Sequence, residues 1–177
     1  MNKSQIRKKI LRIRKKKKIK KILFNFSRIN QILKKTRMTG KNVGGYYPYN
    51  YEFDVMQILE IFEKKNFFIS LPKIKEKFQM DFVKWSTKDP LVINKFGIPE
   101  PTSNKKISPD ILLVPIVAFD KQLNRVGYGG GFYDRYIQKI RKAKKVLTIG
   151  FAFSFQKVKK IPVSNYDKKL DFILVNK

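Results

Sequence analysis

Short apolar runs alternate along this chain with stretches of helical spacing. One of these runs, 110–120, contains Pro115. This proline has to lie at the end of the strand or kink it, because proline cannot donate a hydrogen bond to a strand ladder. Strands that alternate with helices indicate an α/β fold, with a largely parallel sheet flanked by helices in a single-domain sandwich. Four runs have the length and apolar character of buried strands: 67–72, 110–120, 146–153 and 170–175.

Three segments carry the spacing of helices. Residues 4 to about 35 are expected to be helical, with 25–30 as a candidate interruption. A second helix is expected in 54–66, where Asp54 has the residue type of an N-cap. The third is expected to begin after the glycines at 127–131. The apolar face of the second helix consists of Val55, Ile58, Leu59 and Phe62.

Two segments lack a regular pattern. Residues 36–45 are rich in Gly, Thr and Asn and are predicted to form a loop. Residues 73–106 are interrupted by Pro90, Pro99 and Pro101, and their structure is left open. Neither segment has the composition of a linker, so we expect one domain over residues 1–177, with a basic helical segment at about 3–35.

The composition excludes several classes of function. The chain has neither His nor Cys, which rules out histidine acid–base catalysis, thiol nucleophiles and the usual zinc sites. Without cysteine there is no disulfide framework, and we expect a cytoplasmic protein. No apolar run is long enough to span a bilayer, so no membrane association is expected.

The charge has two interpretations. The formal net charge is +28, and residues 1–51 contain 17 Lys or Arg and no acid. Such a basic arm is typical of nucleic-acid binding. The favoured alternative is a compositional bias, because Lys, Asn, Ile, Phe and Tyr are abundant throughout and all have A/T-rich codons. We therefore expect no specific nucleic-acid partner.

The stretch RVGYGGGFYDRY at 125–136 is the densest in glycine. It lies between a predicted strand and a predicted helix, where backbone N–H groups and a helix N-terminus bind phosphate. Its spacing fits neither the P-loop nor the dinucleotide fingerprint, and a generic glycine turn is the alternative. Arg125 and Arg135 flank the glycines and favour an anion site. Asp134 is either a magnesium ligand or a residue that favours the helix dipole.

Residues 110–135, DILLVPIVAFDKQLNRVGYGGGFYDR, closely resemble the signature of the 5-formyltetrahydrofolate cyclo-ligase family. The other elements of the family pattern are individually weak but occur in the expected order over nearly the whole chain. They are KSQIR (3–7), YYPYNYEFD (46–54), ISLPKI (69–74), MDF (80–82), GIPEP (97–101) and GFAFSFQ…PVSNYDKKLD (150–171).

The resemblance implies an ATP- and magnesium-dependent enzyme. The reaction would close 5-formyltetrahydrofolate to 5,10-methenyltetrahydrofolate and release ADP and phosphate. In that mechanism the formyl oxygen is phosphorylated, and N10 then closes the ring. The implied fold is that of sugar-phosphate isomerases and CoA transferases, and a monomer is expected. The basic surface adds the hypothesis that polyglutamylated folates are preferred.

The resemblance also implies roles for the basic and glycine-rich residues. Lys3 and Arg7 would hold the nucleotide phosphates. Arg125 and the loop from Gly127 to Tyr133 would bind ATP and the formyl group under attack. In that loop Gly127, Tyr128 and Phe132 are expected to bind ATP only, whereas Arg125, Gly129, Gly130, Gly131 and Tyr133 are also expected to be catalytic.

Other residues would hold the folate and the metal ion. Tyr47 and Glu52 would bind the folate, Glu52 through hydrogen bonds to the pterin. Trp85 would stack on the ligand, although burial in the core is the favoured alternative. The metal ligands would be Asp134 and Asp167, with Asp171 as their neighbour.

Three positions depart from the family pattern. Ile116 stands where glycine is usual, Phe132 replaces a tyrosine, and Tyr166 stands where histidine is common. None of the residues assigned to phosphate or magnesium is lost. This set speaks against the remaining alternative, a homologue that binds folate without catalysis.

Overall fold

The computed structural model describes residues 1–17 and 24–176. The α-helices within these ranges are α1 (Lys3–Lys16), α2 (Ser27–Thr36), α3 (Met56–Lys64) and α4 (Phe132–Ala143), and a short 3-10 helix lies at Ser154–Gln156. The strands are β1 (Asn42–Gly44), β2 (Phe68–Ile74), β3 (Met80–Lys84), β4 (Leu91–Ile93), β5 (Pro99–Pro101), β6 (Ile111–Pro115), β7 (Ala118–Phe119), β8 (Arg125–Val126), β9 (Leu147–Phe153) and β10 (Phe172–Asn176).

Six of these strands form the central sheet, in the order β10-β9-β6-β1-β2-β3. All neighbours run parallel except β2 and β3, which are antiparallel. The strands β4 and β5 form one small antiparallel pair, and β7 and β8 form another. The predicted α/β fold with a largely parallel sheet is confirmed.

Helices cover both faces of the sheet, and β6 shows how. Ile111 and Leu113 pack in one apolar cluster with Ile58 and Phe62 of α3. Leu112 and Val114 point the other way, into a cluster with Ile137 and Ile140 of α4. A third cluster packs Ile6 and Ile10 of α1 against Val117, Ala118 and Val126. This last contact fixes α1 beside the β7–β8 hairpin, close to the glycine stretch.

The N-terminal helical prediction is confirmed in part. The helix α1 begins with a capping box, in which Asn2 and Gln5 each bond the other's backbone N–H at 2.9 Å. The chain is not helical at 24–26, and α2 begins at Ser27. The part of the prediction at 18–23 lies outside the described residues.

The predicted loop at 36–45 is confirmed only in part: residues 37–41 and 45 lie outside helices and strands, whereas α2 extends to Thr36 and β1 occupies 42–44, where it pairs with both β2 and β6. Its glycine has a packing role. A Cβ on Gly44 would lie 2.7 Å from the Pro109 ring and 2.8 Å from Phe82. The prediction of Pro115 at a strand end is confirmed. Asp54 precedes the cap residue Val55, although its Oδ1 accepts a hydrogen bond from Met56 N at 2.8 Å.

Candidate active site

A cleft of about 490 Å³ opens at the carboxyl ends of the central strands. The chain leaves β1 towards β2 on one side, and β6 lies on the other side of β1. Open α/β sheets bind ligands at such a reversal of strand order. Tyr46 and Tyr47 follow β1, Ile74 ends β2 and Pro115 ends β6, and all four line the cleft.

The glycine stretch forms one wall of the cleft and ends at the N-terminus of α4. Gly131 is the cap residue, with φ of 67°, and Gly129 has φ of 107°. These left-handed conformations favour glycine over any residue with a Cβ. Arg135 does not line the cleft. It donates to Gly130 O at 2.5 Å and to Phe78 O at 2.7 Å, so it braces the loop from behind.

The helix α1 contributes two cations to the cleft. Arg7 Nε donates to Gly127 O at 2.7 Å, and the Arg7 guanidinium lies over the position where Gly129 lacks a Cβ. Lys3 Nζ forms an ion pair and hydrogen bond with Asp167 Oδ2. Both residues line the cleft, as the sequence resemblance implies.

A buried arginine lies next to an acid in the first turn of α4. Arg125 Nη2 is 3.0 Å from Asp134 Oδ1, which also accepts a hydrogen bond from Lys168 N at 3.0 Å. Arg125 Nε and Tyr133 Oη are buried and have no hydrogen-bond partner among the described residues. Burial raises the pKa of Tyr133 above its ordinary value, so its hydroxyl remains a donor. Both groups therefore have unused hydrogen-bonding capacity in the wall of the cleft.

Asp167 lies opposite this pair, in the loop before β10. Partial burial acts to raise its pKa, but hydrogen bonds from Lys3 and from Ser164 outweigh that effect and lower it. The Ser164 N–H and hydroxyl donate to Asp167 Oδ2 at 2.6 and 2.9 Å. Asp167 is therefore an anionic carboxylate held at the rim of the cleft.

Glu52 lies on the folate side that the resemblance implies. It is 8% exposed, and its Oε2 accepts a hydrogen bond from Tyr49 N at 2.9 Å. Burial raises the pKa of Glu52 to about 7, although the Tyr49 N–H, the Arg14 charge and the Tyr128 hydroxyl each act to lower it. The carboxylate is thus a strong acceptor that ionises near neutral pH.

The structure places two of the sequence candidates elsewhere. Trp85 is buried in the core between the sheet and α3, and its Nε1 donates to Asp89 O at 3.2 Å. The prediction of a stacking role in the cleft is therefore wrong. Asp171 accepts hydrogen bonds from Thr148 N at 2.7 Å and from Arg141 Nη2 at 3.2 Å, and it does not line the cleft.

The departures from the family pattern have local explanations. Ile116 is buried, and its Cδ1 occupies the space where Gly150 lacks a Cβ, so the two residues pack together. Phe132 lines the cleft and packs against Phe78, with ring centroids 6.0 Å apart. Tyr166 is 81% exposed and forms no part of the cleft wall.

Several residues of the site escaped the sequence reasoning. Tyr49 lines the cleft beside Tyr47, and Arg14 lies behind it, bonded to Tyr128. The signal for Arg14 was its helical spacing of four and eight from Ile10 and Ile6, which puts a cation on the buried face of α1. The β4–β5 pair also reaches the cleft, through Asn94, Phe96, Ile98 and Pro99.

The sequence model of the 5-formyltetrahydrofolate cyclo-ligase family matches residues 1–176. The chain belongs to that family. A 5-formyltetrahydrofolate cyclo-ligase of Haemophilus influenzae is 34% identical over 142 residues, covering 76% of this chain and 75% of the relative. A cyclo-ligase of Mycoplasma genitalium is 32% identical over 145 residues, covering 80% and 76%.

Solved structures agree with the family assignment. A 5,10-methenyltetrahydrofolate synthetase from Mycoplasma pneumoniae matches 98% of each chain, with a TM-score of 0.70 and 26% identity. The synthetase from Aquifex aeolicus matches 99% of this chain and 90% of its own, with a TM-score of 0.73 and 28% identity. The cyclo-ligase family thus supplies both the sequence pattern and the fold.

Within residues 1–17 and 24–176, no three acidic side chains cluster as a metal site. None of the helices in those ranges is both long and apolar enough to cross a bilayer.

Proposed function

We propose that this chain performs the reaction after which its family is named. It would use ATP to convert 5-formyltetrahydrofolate to 5,10-methenyltetrahydrofolate, with release of ADP and phosphate. One observation carries the proposal. A single cleft brings together a glycine loop at a helix N-terminus, three cations and three carboxylates, beside a largely apolar space that fits a small-molecule ligand.

The triphosphate is assigned to the glycine loop. Backbone N–H groups of residues 127–131 and of the first turn of α4 would donate to the phosphates, and the positive φ of Gly129 and Gly131 would permit their close approach. Lys3, Arg7 and Arg125 supply positive charge from two sides of the cleft. Phosphoryl transfer depends mainly on such positioning and charge neutralisation, so a chain without His or Cys can perform it.

Magnesium is assigned to Asp134 and Asp167. These residues fit the ion, because magnesium is commonly held by one or two carboxylates together with substrate phosphates and waters. Both carboxylates line the cleft, and each is paired with a cation, Arg125 or Lys3. When bound, the metal would neutralise charge that develops on the phosphates.

The folate is assigned to the side of the cleft that contains Tyr47 and Glu52. Glu52 would accept hydrogen bonds from N–H groups of the pterin, and Pro72, Ile74 and Met80 offer apolar contact to a ring system. This side adjoins the glycine loop through Tyr128 and Tyr133. The formyl group would therefore lie near the γ-phosphate.

The proposed chemistry has two stages. The formyl oxygen bonds to the γ-phosphorus as the bond to the ADP oxygen breaks. The N10 nitrogen then bonds to the formyl carbon and loses its proton, and the carbon–oxygen bond breaks to release phosphate. Arg125, the loop N–H groups and the Tyr133 hydroxyl donate to the oxygens that gain charge in these stages.

An absorbance assay tests the proposal. Purified protein with 5-formyltetrahydrofolate, magnesium and ATP should produce the near-ultraviolet absorbance of the methenyl product, only when ATP is present. Asp134→Asn keeps the shape of the side chain but removes its charge, and it should lower kcat/KM by about a hundredfold or more. Glu60→Gln is the matched control, because Glu60 is an exposed acid on α3. Folded protein that forms no methenyl product would disprove the enzyme assignment.

Two finer features belong to the same proposal. The chain is proposed to act as a monomer in the cytoplasm, since one chain supplies every residue assigned to the cleft and the reaction consumes ATP. Its substrate is proposed to be a polyglutamylated folate. The support is a second, shallow pocket that shares Ile74 with the cleft and is lined by Lys75, Lys77 and Lys95.

A further inference from the structure

Arg14 is a charged residue in an apolar position. It follows Ile6 and Ile10 at helical spacing on the buried face of α1, and it is 1% exposed. The neighbouring cluster contains Val117 and Val126, so a leucine would match the surroundings better. Burying a charge is costly unless it is paired and hydrogen-bonded. The arginine therefore has to be understood from its contacts.

The contacts of Arg14 point towards the cleft wall. Its Nη2 donates to Ile116 O at 2.6 Å, and its Nη1 donates to Tyr128 Oη at 3.0 Å. Its Nε has no hydrogen-bond partner among the described residues. Gln156 Nε2 donates to the same Ile116 carbonyl at 2.7 Å, so that end of the guanidinium is held at a fixed point of the core.

The other end of Arg14 connects to Glu52 through two tyrosines. Tyr128 accepts the hydrogen bond from Arg14 and donates its own proton to Tyr49 O, at 3.2 Å. Tyr49 N donates to Glu52 Oε2 at 2.9 Å, and Glu52 N returns a hydrogen bond to Tyr49 O at 3.1 Å. A change at Arg14 would therefore move the turn that carries Glu52.

We propose that Arg14 is a positioning residue for the folate side of the site, which fixes the Tyr128 hydroxyl and thereby the turn at residues 49–52 that presents the Glu52 carboxylate. The inference rests on the proposed function, because it assumes that Glu52 accepts hydrogen bonds from the substrate. It assigns Arg14 no contact with the substrate.

The charge of Arg14 adds a dependence on pH. Burial raises the pKa of Glu52 to about 7, and Arg14 opposes that rise. Removing the Arg14 cation should therefore raise the pKa of Glu52 further. In the pH profile of kcat/KM for 5-formyltetrahydrofolate, the fall in activity on the acid side (the acid limb) should then shift to higher pH. The other groups that face Glu52 are Tyr128, Tyr133 of α4, and Tyr46 and Tyr49 of its own segment.

The test compares Arg14→Leu, Arg14→Lys and Arg12→Leu in the cyclisation assay. Arg14→Leu should raise the KM for 5-formyltetrahydrofolate by about tenfold, which corresponds to one lost hydrogen bond to a charged group, and leave the KM for ATP nearly unchanged. Arg14→Lys keeps the charge, so its acid limb should stay close to that of the wild type. Arg12 is exposed on the same helix, and Arg12→Leu should change none of these quantities.

Each result decides a different question. An inactive wild type contradicts the proposed function itself. An active wild type together with a folded Arg14→Leu whose folate KM and acid limb are unchanged contradicts only the role of Arg14. If Arg14→Leu does not fold, Tyr128→Phe removes the same connection to the turn and should raise the folate KM, whereas an unchanged folate KM in that variant overturns the inference.

Discussion

Glu52 shows how a site residue can lower the stability of the folded state. Its side chain is buried beside Tyr46, whose own pKa is raised well above its ordinary value by burial and by the Glu52 charge. A carboxyl whose pKa is higher in the folded state favours folding at low pH. That contribution is complete below the unfolded pKa of about 4.5 and is lost as pH rises through about 7.

Glu52→Gln should therefore stabilise the protein at alkaline pH. The amide still accepts a hydrogen bond from Tyr49 N but carries no charge. Relative to the variant, the wild type should lose about 3 kcal/mol of unfolding free energy between pH 4.5 and pH 8. Urea denaturation across this range measures the difference in unfolding free energy between the two proteins. The contributions of the other titrating groups cancel in this difference, because both proteins contain those groups.

The same substitution should weaken the proposed substrate binding. A neutral amide accepts a weaker hydrogen bond than a carboxylate, so the KM for the folate should rise while the protein becomes more stable. If the unfolding free energies of the wild type and of Glu52→Gln instead change in parallel over the whole pH range, Glu52 has an ordinary pKa in the folded protein and the stability prediction is wrong.

At the level of elements, the loop before α4 combines two backbone requirements. Gly131 has a positive φ as the cap of α4, and a Cβ there would lie 2.7 Å from Arg135 Nη1. The loop is also held from outside, by Arg7 at Gly127 O and by Arg135 at Gly130 O. A disturbance of Gly131 should therefore reach the backbone to which the triphosphate is assigned in the proposed function.

Gly131→Ala and Gly97→Ala separate backbone strain from function. Gly97 has φ of 73° with no atom within 4 Å of a Cβ, so it matches Gly131 in conformation and differs in surroundings. Each variant should lose about 1–2 kcal/mol of stability because alanine disfavours this conformation. Only Gly131→Ala should also lose activity, by about tenfold or more in kcat/KM for ATP. Equal activities in the two variants would remove the loop from the mechanism.

The elements also show which parts of the fold could be predicted from sequence. The strands β6, β9 and β10 consist mainly of apolar residues, and α3 has a regular apolar stripe. The local sequence pattern was therefore enough to predict these elements. The strand β1 is three residues long, and its Gly44 is required by Phe82 and Pro109, which are distant in sequence. Local pattern contains no information about such contacts.

The site shows the same division between local and distant information. The position of the glycine stretch and of Asp134 at the cleft was predictable, because this loop and the start of its helix are continuous in sequence. Trp85 was not decidable, since an aromatic residue looks the same in a core and in a cleft. The spacing of Arg14 from Ile6 and Ile10 placed it on the buried face of the first helix, but nothing in the sequence indicated its contact with Tyr128.

For the molecule as a whole, part of the high positive charge lies on residues that form contacts in or behind the cleft. Lys3, Arg7 and Arg14 of the basic first helix have partners in or behind the cleft. Other cations are paired away from the cleft: Lys75 and Lys106 share Asp81 as a partner and lower its pKa to about 2. A field of this sign attracts anionic ligands and weakens with added salt.

This charge leads to a prediction about the folate tail. At low ionic strength the KM for a polyglutamylated substrate should lie below that for the monoglutamate, and the ratio should approach unity as salt rises to about 0.5 M. Lys77→Gln with Lys95→Gln should bring the two KM values closer together. Lys8→Gln with Lys9→Gln removes the same charge from the exposed side of α1 and should leave the difference between them nearly unchanged. Equal KM values for the two substrates at low salt would contradict the preference.

The ion pair between Lys3 and Asp167 closes the cleft with residues 164 positions apart, and Arg7 reaches Gly127 across 120. Contacts of such separation form only after most of the chain has ordered, because the entropy of closing a long loop has to be overcome first. A nucleotide bound between these residues would link the first helix to segments more than a hundred residues later in the chain. Its binding energy would then oppose global unfolding, so saturating ATP should slow the proteolysis of every segment together.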